Sequence, residues 1–299
     1  MNKIIQIAVL SAIVMYMFHG FDIGDIDFKE FSFFWIFITV LVLLISDIML
    51  SLRWMKMTAL SFKISLETII VSSALNMVLP ARLGELSKAL YLKRFYKYNY
   101  HKTVSVIFVE RFFDVIVLFL LLCLWAYYFF INDTIRYSLV GMIISIALVT
   151  ALLRHKKTLP LLKKIPFKRV RIYSQKIFSN INHLLTSPWY IFLYTLFVWF
   201  SYFIGTLLFY KYAVHFGLNL QDIIELFVFS TIALALPLTP GGIGTYEGAV
   251  VLLLHHHGIN KEDALVAAMI YHFLLFFVNF ALLYIFLLVK NIKFKELIK

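Results

Sequence analysis

Long apolar runs restrict the fold of this chain more than any other feature. A helix needs roughly 20 mostly apolar residues to cross a membrane, and runs near this length follow one another along the sequence. They occupy residues 3–19, 33–52, 64–79, 103–131, 137–153, 188–213, 222–238, 246–255 and 263–289. Of the 299 residues, 62% are hydrophobic and 15% are charged, whereas a soluble domain is about half apolar and about a quarter charged. The sequence therefore predicts an all-α, polytopic membrane protein.

The net charge of +12 lies between the apolar runs and not on a separate basic domain, which argues against nucleic acid as a partner. In membrane proteins, clusters of Lys and Arg mark the cytoplasmic loops. Residues 154–187 hold nine Lys or Arg and no acid, and four lysines follow Val289. The first apolar run has no small-residue cleavage site after it, so we interpret it as an uncleaved span. We expect both termini in the cytoplasm of a bacterial or archaeal cell, with the chain in its cytoplasmic (inner) membrane.

The basic segments 53–63 and 81–102 conflict with a simple crossing. Both carry an excess of cations, yet the single apolar run 64–79 separates them. One crossing would place one of the two segments outside, against the distribution expected for cations. The consistent interpretation is a re-entrant hairpin, residues 64–95, that enters from the cytoplasm, breaks at Pro80 and returns, because proline interrupts a helix.

The same reasoning predicts a second hairpin, residues 222–256, that starts and finishes outside and breaks at Pro237 and Pro240. Six full spans and two hairpins then agree with the charge of every loop. The predicted parts are a first half with the cytoplasmic-side hairpin and the fourth span (1–153), a basic cytoplasmic linker (154–187) and a second half with the outside-facing hairpin (188–299).

The two breaks share a short motif. Both contain P-x-x-[LI]-G, from Pro80 to Gly84 and from Pro240 to Gly244, and a glutamate follows each, Glu85 and Glu247. The order of span, span, hairpin and span is also the same in both halves. Because the hairpins enter from opposite sides, the halves are predicted to form an inverted repeat, an arrangement in which broken helices meet near the membrane midplane and form a binding site.

The second break carries the glycines Gly241, Gly242 and Gly244. A half-helix that begins there presents free backbone N–H groups and a partial positive charge, which suit an anion such as phosphate. Glycine also lets a ligand approach the backbone closely. The alternative is that these glycines only allow tight packing against a neighbouring helix.

The span that begins near residue 103 contains Glu110, Arg111 and Asp114 about two turns from its start. Charged side chains inside a span are costly to insert and usually have a function. Arg111 and Asp114 are spaced to form an i,i+3 pair. Two interpretations stay open, a structural ion network that closes the helix bundle and a polar cavity that holds a head group or a proton. Asp47 and Asn76 are further candidates for that cavity.

Arg82 lies near the apex of the first hairpin and Lys88 lies farther along it. Arginine suits phosphate because its planar fork donates two hydrogen bonds. Both side chains could instead extend to the cytoplasmic surface as anchors, and for Lys88 this second interpretation is preferred.

His255, His256 and His257 do not predict a metal site, because consecutive helical residues point about 100° apart. A lone polar residue within a span, such as His272, more often forms a hydrogen bond to a neighbouring helix than titrates. The sequence shows no convincing nucleophile or metal constellation, so we predict no catalytic residues, no metal and no cofactor. The linker 154–187 is basic and partly amphipathic, and it either lies on anionic inner-leaflet lipid or only sets the topology.

Three stretches, "NMVLPARLGELSKALYLKR", "VERFFD" and "PLTPGGIGTYEG", resemble the signatures of the lysylphosphatidylglycerol synthase transmembrane family, also called the flippase-like domain family. The resemblance covers about residues 5 to 290. It implies lipid or lipid-linked saccharide handling, and members fused to an aminoacyl-transferase domain are implicated in flipping aminoacylated phosphatidylglycerol. This chain ends ten residues after its last span, so we expect a stand-alone member without the synthase domain.

The positions that match the family's motifs are Asn76, Pro80, Arg82, Gly84, Glu85, Glu110, Arg111, Asp114, Pro240, Gly241, Gly242, Gly244 and Glu247. Apart from Pro80, Gly84 and Pro240, we expect them to bind substrate. The expected function is translocation of a phospholipid or polyprenyl-linked lipid between leaflets, without enzyme activity, and association between copies of the chain is left open. The alternatives are a non-transporting partner subunit of a glycosyltransferase or lipid synthase and a membrane enzyme that modifies lipid head groups.

Overall fold

The computed structural model describes residues 31–79, 83–129, 137, 141, 167–186, 188–235 and 239–298. Within these residues the secondary structure is entirely helical, as predicted. The helices are α1 (Phe33–Thr58), α2 (Phe62–Val78), α3 (Gly84–Tyr96), α4 (Tyr100–Phe129), α5 (Lys168–Leu184), α6 (Pro188–Leu207), α7 (Leu220–Ala235), α8 (Thr245–His256), α9 (Lys261–Lys290) and α10 (Phe294–Ile298). A π-helical turn, Leu208–Ala213, continues α6, and a 3₁₀ turn, Pro240–Gly242, lies between α7 and α8.

Three of the described helices are long and apolar enough to cross a membrane. These are Phe33–Thr58, Pro188–Ala213 and Lys261–Lys290. A helix of 26 residues such as the first is about 39 Å long, more than the roughly 30 Å of hydrocarbon in a bilayer. Large apolar side chains cover their outer faces, among them Phe37, Phe200 and Phe273. By length and composition, the chain is therefore a membrane protein with three candidate spans among its described helices.

The other predicted spans have different outcomes. The run 103–131 forms most of α4, a continuous helix of 30 residues. The runs 3–19 and 137–153 lie outside the described residues, apart from Tyr137 and Gly141. The count of six full spans and the inverted arrangement of the halves stay predictions.

Both predicted helix breaks are present. The helix α2 ends at Val78 and α3 begins at Gly84, while α7 ends at Ala235 and α8 begins only at Thr245. Proline has no N–H to donate to the helix and clashes with the preceding turn, so it favours an end at these places. Whether each pair of helices enters and leaves the membrane on the same side stays a prediction.

Glycine is required at both breaks because backbone atoms approach it closely. A Cβ at Gly84 would overlap the backbone nitrogen of Asn76 and would lie 2.7 Å from the carbonyl carbon of Leu75. Gly241 has a φ of 61°, and its Cβ would lie 2.6 Å from the carbonyl oxygen of Met77. The end of α2 therefore packs against the glycines of both breaks, which lie far apart in the sequence.

The chain divides into two compact units that do not coincide with its halves. The first unit contains the described residues of Met1–Ile48, Ile69–Ser87 and Phe200–Lys299, and the second contains those of Met49–Thr68 and Lys88–Trp199. Both breaks and their contacts with α2 belong to the first unit. The predicted halves, 1–153 and 188–299, were defined by their internal symmetry and not by compactness. That division stays a prediction.

The core of the first unit is rich in aromatic residues. The π-helical turn places Phe209 and Tyr210 in this core, where the Tyr210 hydroxyl lies 3.0 Å from that of Tyr246 in α8. Tyr271 of α9 packs against the same rings and forms a hydrogen bond with Thr206. Each buried hydroxyl in this group has a partner, as burial requires.

We predict that Gly84→Ala destabilises the protein by about 1–3 kcal/mol, because the added methyl group must displace backbone and not a flexible side chain. Thermal unfolding in detergent, followed by loss of the monodisperse species, would measure the change. Gly141→Ala is the matched control, since a Cβ there meets no atom within 4 Å. Equal melting temperatures for Gly84→Ala and the control would contradict the close packing of the first break.

Candidate functional site

An ionic cluster lies in the second unit, built on α1 and α4. Arg53 of α1 is only 1% exposed, and its two terminal nitrogens bind two different carboxylates. Nη1 donates to Oδ1 of Asp114 at 2.6 Å, and Nη2 donates to Oε1 of Glu110 at 2.7 Å. Glu110 and Asp114 are one helical turn apart on α4, so one guanidinium reaches both. Thr195 of α6 accepts a further bond from Nη1.

Lys88 of α3 completes the coordination of Glu110. Its Nζ lies 2.6 Å from Oε2, and the lysine and glutamate side chains are 2% and 0% exposed. The same ammonium lies 4.6 Å from the centre of the Trp54 ring, a distance at which a cation is attracted to the ring face. The two oxygens of Glu110 thus accept from two different cations.

These positions correct two interpretations of the sequence. We expected Lys88 to extend to the surface as an anchor, and Arg53 belongs to the basic segment 53–63, which the distribution of cations placed on the cytoplasmic side. Both are buried and bound to carboxylates. An acid buried as deeply as Glu110 must be paired, because an unpaired buried charge is very costly. The acids of α4 indicated that cationic partners must lie nearby, but nothing in the sequence identified which cations these are.

Arg111 is the most exposed cation of the cluster, with 32% of its side chain accessible. The predicted i,i+3 pair is confirmed, because its Nη1 lies 3.2 Å from Oδ2 of Asp114. Its Nη2 lies 3.6 Å from Oε2 of Glu110. The indole N–H of Trp199 donates to Oδ1 of Asp114 at 3.2 Å. Among the described residues, the ionic cluster therefore contains three cations and two carboxylates.

A second polar group lies in the first unit, at the second break. Oε2 of Glu247 accepts the backbone N–H of Gly244 at 2.7 Å, and Oε1 lies 2.6 Å from Nδ1 of His272. The other ring nitrogen of His272, Nε2, lies 2.9 Å from the carbonyl oxygen of Gly241. The hydrogen-bonded interpretation of His272 is confirmed, with partners in α8 and in the 3₁₀ turn.

The start of α8 already holds an acidic side chain of the protein itself. Glu247, in the first turn, caps the helix by accepting from Gly244, as glutamate often does at this position. The glycines at this break also have a packing role, since a Cβ at Gly242 would lie 2.6 Å from a methyl carbon of Leu234. The expectation that this helix end binds a lipid phosphate stays a prediction, and at Gly244 it competes with Glu247.

The first break shows a smaller polar contact. The amide nitrogen of Asn76, at the end of α2, donates to Oε1 of Glu85 at 3.0 Å, which places the carboxylate in the first turn of α3. Arg82 lies outside the described residues. Asp47 of α1 lines a small pocket in the first unit together with Tyr202 and Asn279.

The predicted site residues therefore fall into two groups. Glu110, Arg111 and Asp114 lie in the second unit, and the first unit holds Asn76, Glu85, Gly241, Gly242, Gly244 and Glu247. Sequence reasoning missed Arg53, Thr195 and Trp199 as members of the ionic cluster. A threonine and a tryptophan in a span carry no signal of such a role. No group of His, Cys, Asp or Glu side chains suited to a metal ion occurs in the described part of the chain.

Comparisons with known proteins agree that this chain is similar to membrane proteins. The family model described as the lysylphosphatidylglycerol synthase TM region matches residues 3–282. The UPF0104 membrane protein MJ1078 of Methanocaldococcus jannaschii is 26% identical to this chain over 230 residues, which are 73% of this chain and 95% of the relative. No solved structure matches.

We predict that Glu110→Gln lowers the free energy of unfolding by about 3–5 kcal/mol, because Arg53 and Lys88 lose the charge that both of them bind. The additional change Lys88→Met should recover part of this loss, because it removes a buried cation whose carboxylate partner has been neutralised. Unfolding by SDS titration in mixed micelles would measure both variants. Glu262→Gln, at a partly buried carboxylate in the first turn of α9, is the control. Strictly additive effects of the two changes at Lys88 and Glu110 would contradict the pairing.

Proposed function

This chain belongs to the lysylphosphatidylglycerol synthase transmembrane family, and from that membership we propose that it is a flippase-like lipid translocase. It would move a phosphate-bearing phospholipid or a polyprenyl-linked saccharide between the leaflets of a bacterial or archaeal cytoplasmic membrane. Both termini would lie in the cytoplasm. The lipid tails would stay in the bilayer while the head group crosses through protein.

The ionic cluster of the second unit is the observation that carries this proposal. Charged groups in a membrane-spanning region are costly and usually mark a pathway for polar substrates. Glu110 and Asp114 hold Arg53 and Lys88 firmly, while Arg111 keeps about a third of its side chain accessible. In the proposed mechanism, the guanidinium of Arg111 turns from its carboxylate partners to a lipid phosphate, which it can bind through two parallel hydrogen bonds.

The breaks of the first unit supply the other part of the proposal. Helices that are interrupted inside a membrane protein are tolerated where the backbone is buried in protein or lines a wet cavity. Here the end of α2 packs against Gly84 and Gly241. In an inverted repeat, rocking of one half against the other would change the contacts at these breaks and expose the head group to either side.

Two other functions compete with translocation. As a non-transporting partner subunit of a glycosyltransferase or lipid synthase, the chain would co-purify with that enzyme and show no activity alone. As a membrane enzyme, it would change the head group of a lipid chemically. The ionic cluster has three cations for two carboxylates among the described residues, and this excess of positive charge suits the binding of an anionic head group, which favours translocation.

A reconstitution experiment tests translocation directly. Purified protein in vesicles of phosphatidylethanolamine and phosphatidylglycerol would receive fluorescent phosphatidylglycerol or a fluorescent polyprenyl-phosphate saccharide, and dithionite would report the fraction in the outer leaflet. We expect Arg111→Gln to lower the rate at least about tenfold, since one charge-assisted bidentate contact is worth about 1.5–3 kcal/mol or more. Arg94→Gln, which removes an exposed cation at the end of α3, should leave the rate unchanged.

Failure of the wild-type protein to move either probe would overturn the translocase proposal. Chemical conversion of a probe would indicate the enzyme instead. Equal rates in Arg111→Gln, Arg94→Gln and the wild-type protein would show that the substrate phosphate binds elsewhere.

We also propose that α5 binds anionic lipid of the inner leaflet. The helix carries Lys168, Arg171 and Lys176, and its packing against α4 buries Ile181 while Val170 and other apolar side chains near its start stay exposed. Cations beside exposed apolar residues are typical of helices that lie on a membrane surface.

Replacing Lys168, Arg171 and Lys176 with Gln should reduce the phosphatidylglycerol retained by the purified protein, by about 1 kcal/mol of binding free energy for each cation. Native mass spectrometry would count the bound lipids. Replacing Lys211 and Lys261, which lie in segments predicted to face outside, serves as the control. Equal retention in both variants would mean that the basic linker only sets the topology.

A further inference from the structure

His272 lies between two groups that accept hydrogen bonds. Its Nε2 is 2.9 Å from the carbonyl oxygen of Gly241, and its Nδ1 is 2.6 Å from Oε1 of Glu247. A carbonyl oxygen has no proton to give, so Nε2 must carry one. The short contact on the other side of the ring needs a proton as well, on Nδ1 or on Oε1, because two lone pairs would otherwise face each other.

With both contacts made, the pair of Glu247 and His272 holds one proton more than an ionised glutamate and a neutral histidine. It exists either as carboxylate and imidazolium or as carboxylic acid and neutral imidazole, and both forms have zero net charge. Loss of the proton breaks one of the two contacts. In a neutral ring with hydrogen on Nε2, the unprotonated Nδ1 faces the carboxylate of Glu247. In the other tautomer, the unprotonated Nε2 faces the carbonyl oxygen of Gly241.

These two contacts join three segments of the first unit. Gly241 belongs to the 3₁₀ turn of the second break, Glu247 lies in the first turn of α8, and His272 lies in α9. The carbonyl of Met77, at the end of α2, approaches Gly241 on the same turn. The proton thus determines whether α9 stays attached to the break at two points or at one.

Within the described part of the chain, aromatic rings pack against the imidazole of His272. The ring of Tyr246 lies 4.8 Å from the imidazole centre, and the ring of Phe276 lies 5.1 Å from it. The hydroxyls of Tyr210 and Tyr246 bind each other, and the Tyr271 hydroxyl binds Thr206. The acids of α7, Asp222 and Glu225, bind His257 after the opposite end of α8.

We propose that the Glu247–His272 pair is a proton-binding site that couples proton movement to the opening of the second break. The proton comes from water on one side of the membrane and leaves to water on the other, with no covalent change in the lipid. This inference rests on the proposed translocation, for which it supplies the energy source, a proton gradient.

The protonation of the pair can be measured without any transport. Full-length protein with ¹⁵N-labelled histidine, compared with His272→Gln, identifies the imidazole signals of His272 by difference. Infrared spectra compared with Glu247→Gln identify a protonated carboxyl group at that position. At neutral pH we expect either a doubly protonated ring or a protonated carboxyl group. A neutral ring beside an ionised carboxylate would overturn the proton site.

Coupling is tested in the same vesicles with fluorescent phosphatidylglycerol. For one proton per lipid, a gradient of one pH unit shifts the steady-state distribution of the probe between leaflets by up to about tenfold. In Glu247→Gln, the amide nitrogen can donate to Nδ1 while the amide oxygen accepts from Gly244. Both contacts then persist without the additional proton that Glu247 and His272 share. This variant should lose the response to the gradient, and His256→Gln, at an exposed histidine after the same break, should keep it.

The outcomes separate the inference from the proposed function. A wild-type protein that equilibrates the probe identically with and without the gradient would overturn proton coupling and leave translocation standing. A wild-type protein that moves no lipid would overturn translocation, and the spectroscopic result alone would then decide whether the pair holds a proton. A gradient response that survives in Glu247→Gln would place the coupling site elsewhere.

Discussion

Polar groups inside an apolar chain must find their partners within the protein, and the described structure depends on this constraint. Glu110 shows it most clearly, because it is completely buried and each of its oxygens binds a different cation. The buried carboxylate of Glu67 follows the same rule and accepts hydrogen bonds from Tyr91 and Tyr96. Since desolvating a charge costs several kcal/mol even in a relaxed protein, each of these contacts fixes the position of one helix relative to another within its unit.

The second break meets the same constraint by different means. An interrupted helix leaves backbone donors and acceptors without partners, and here Glu247 accepts one donor while His272 binds one acceptor. Under the proposed proton site, the stability of this break would depend on the proton that Glu247 and His272 share. A break capped by serine or asparagine would satisfy the backbone equally well without that dependence.

Much of the fold was accessible from the sequence because it follows from local rules. Runs of apolar residues predicted the long helices, and proline followed by glycine predicted where α2 and α7 end. The charged run in α4 left open an ion network or a polar cavity, and the structure shows ion pairs there. The i,i+3 pair of Arg111 and Asp114 follows from helical geometry alone. The structure also assigns His272 to a hydrogen bond, the outcome preferred for a lone polar residue in a span.

What the sequence determined by itself was the helical membrane class, the positions of the two breaks and the family. Only the tertiary structure decided the partners, because contacts between residues far apart in the chain depend on how helices pack. It assigned Arg53 and Lys88 to Glu110, whereas the sequence had placed Arg53 in a basic cytoplasmic segment and had favoured a surface anchor for Lys88. It also brought Met77 to Gly241, and His272 to Glu247. Periodicity and composition show which residues are apolar. Whether a charged residue is buried depends instead on whether another helix places an opposite charge beside it.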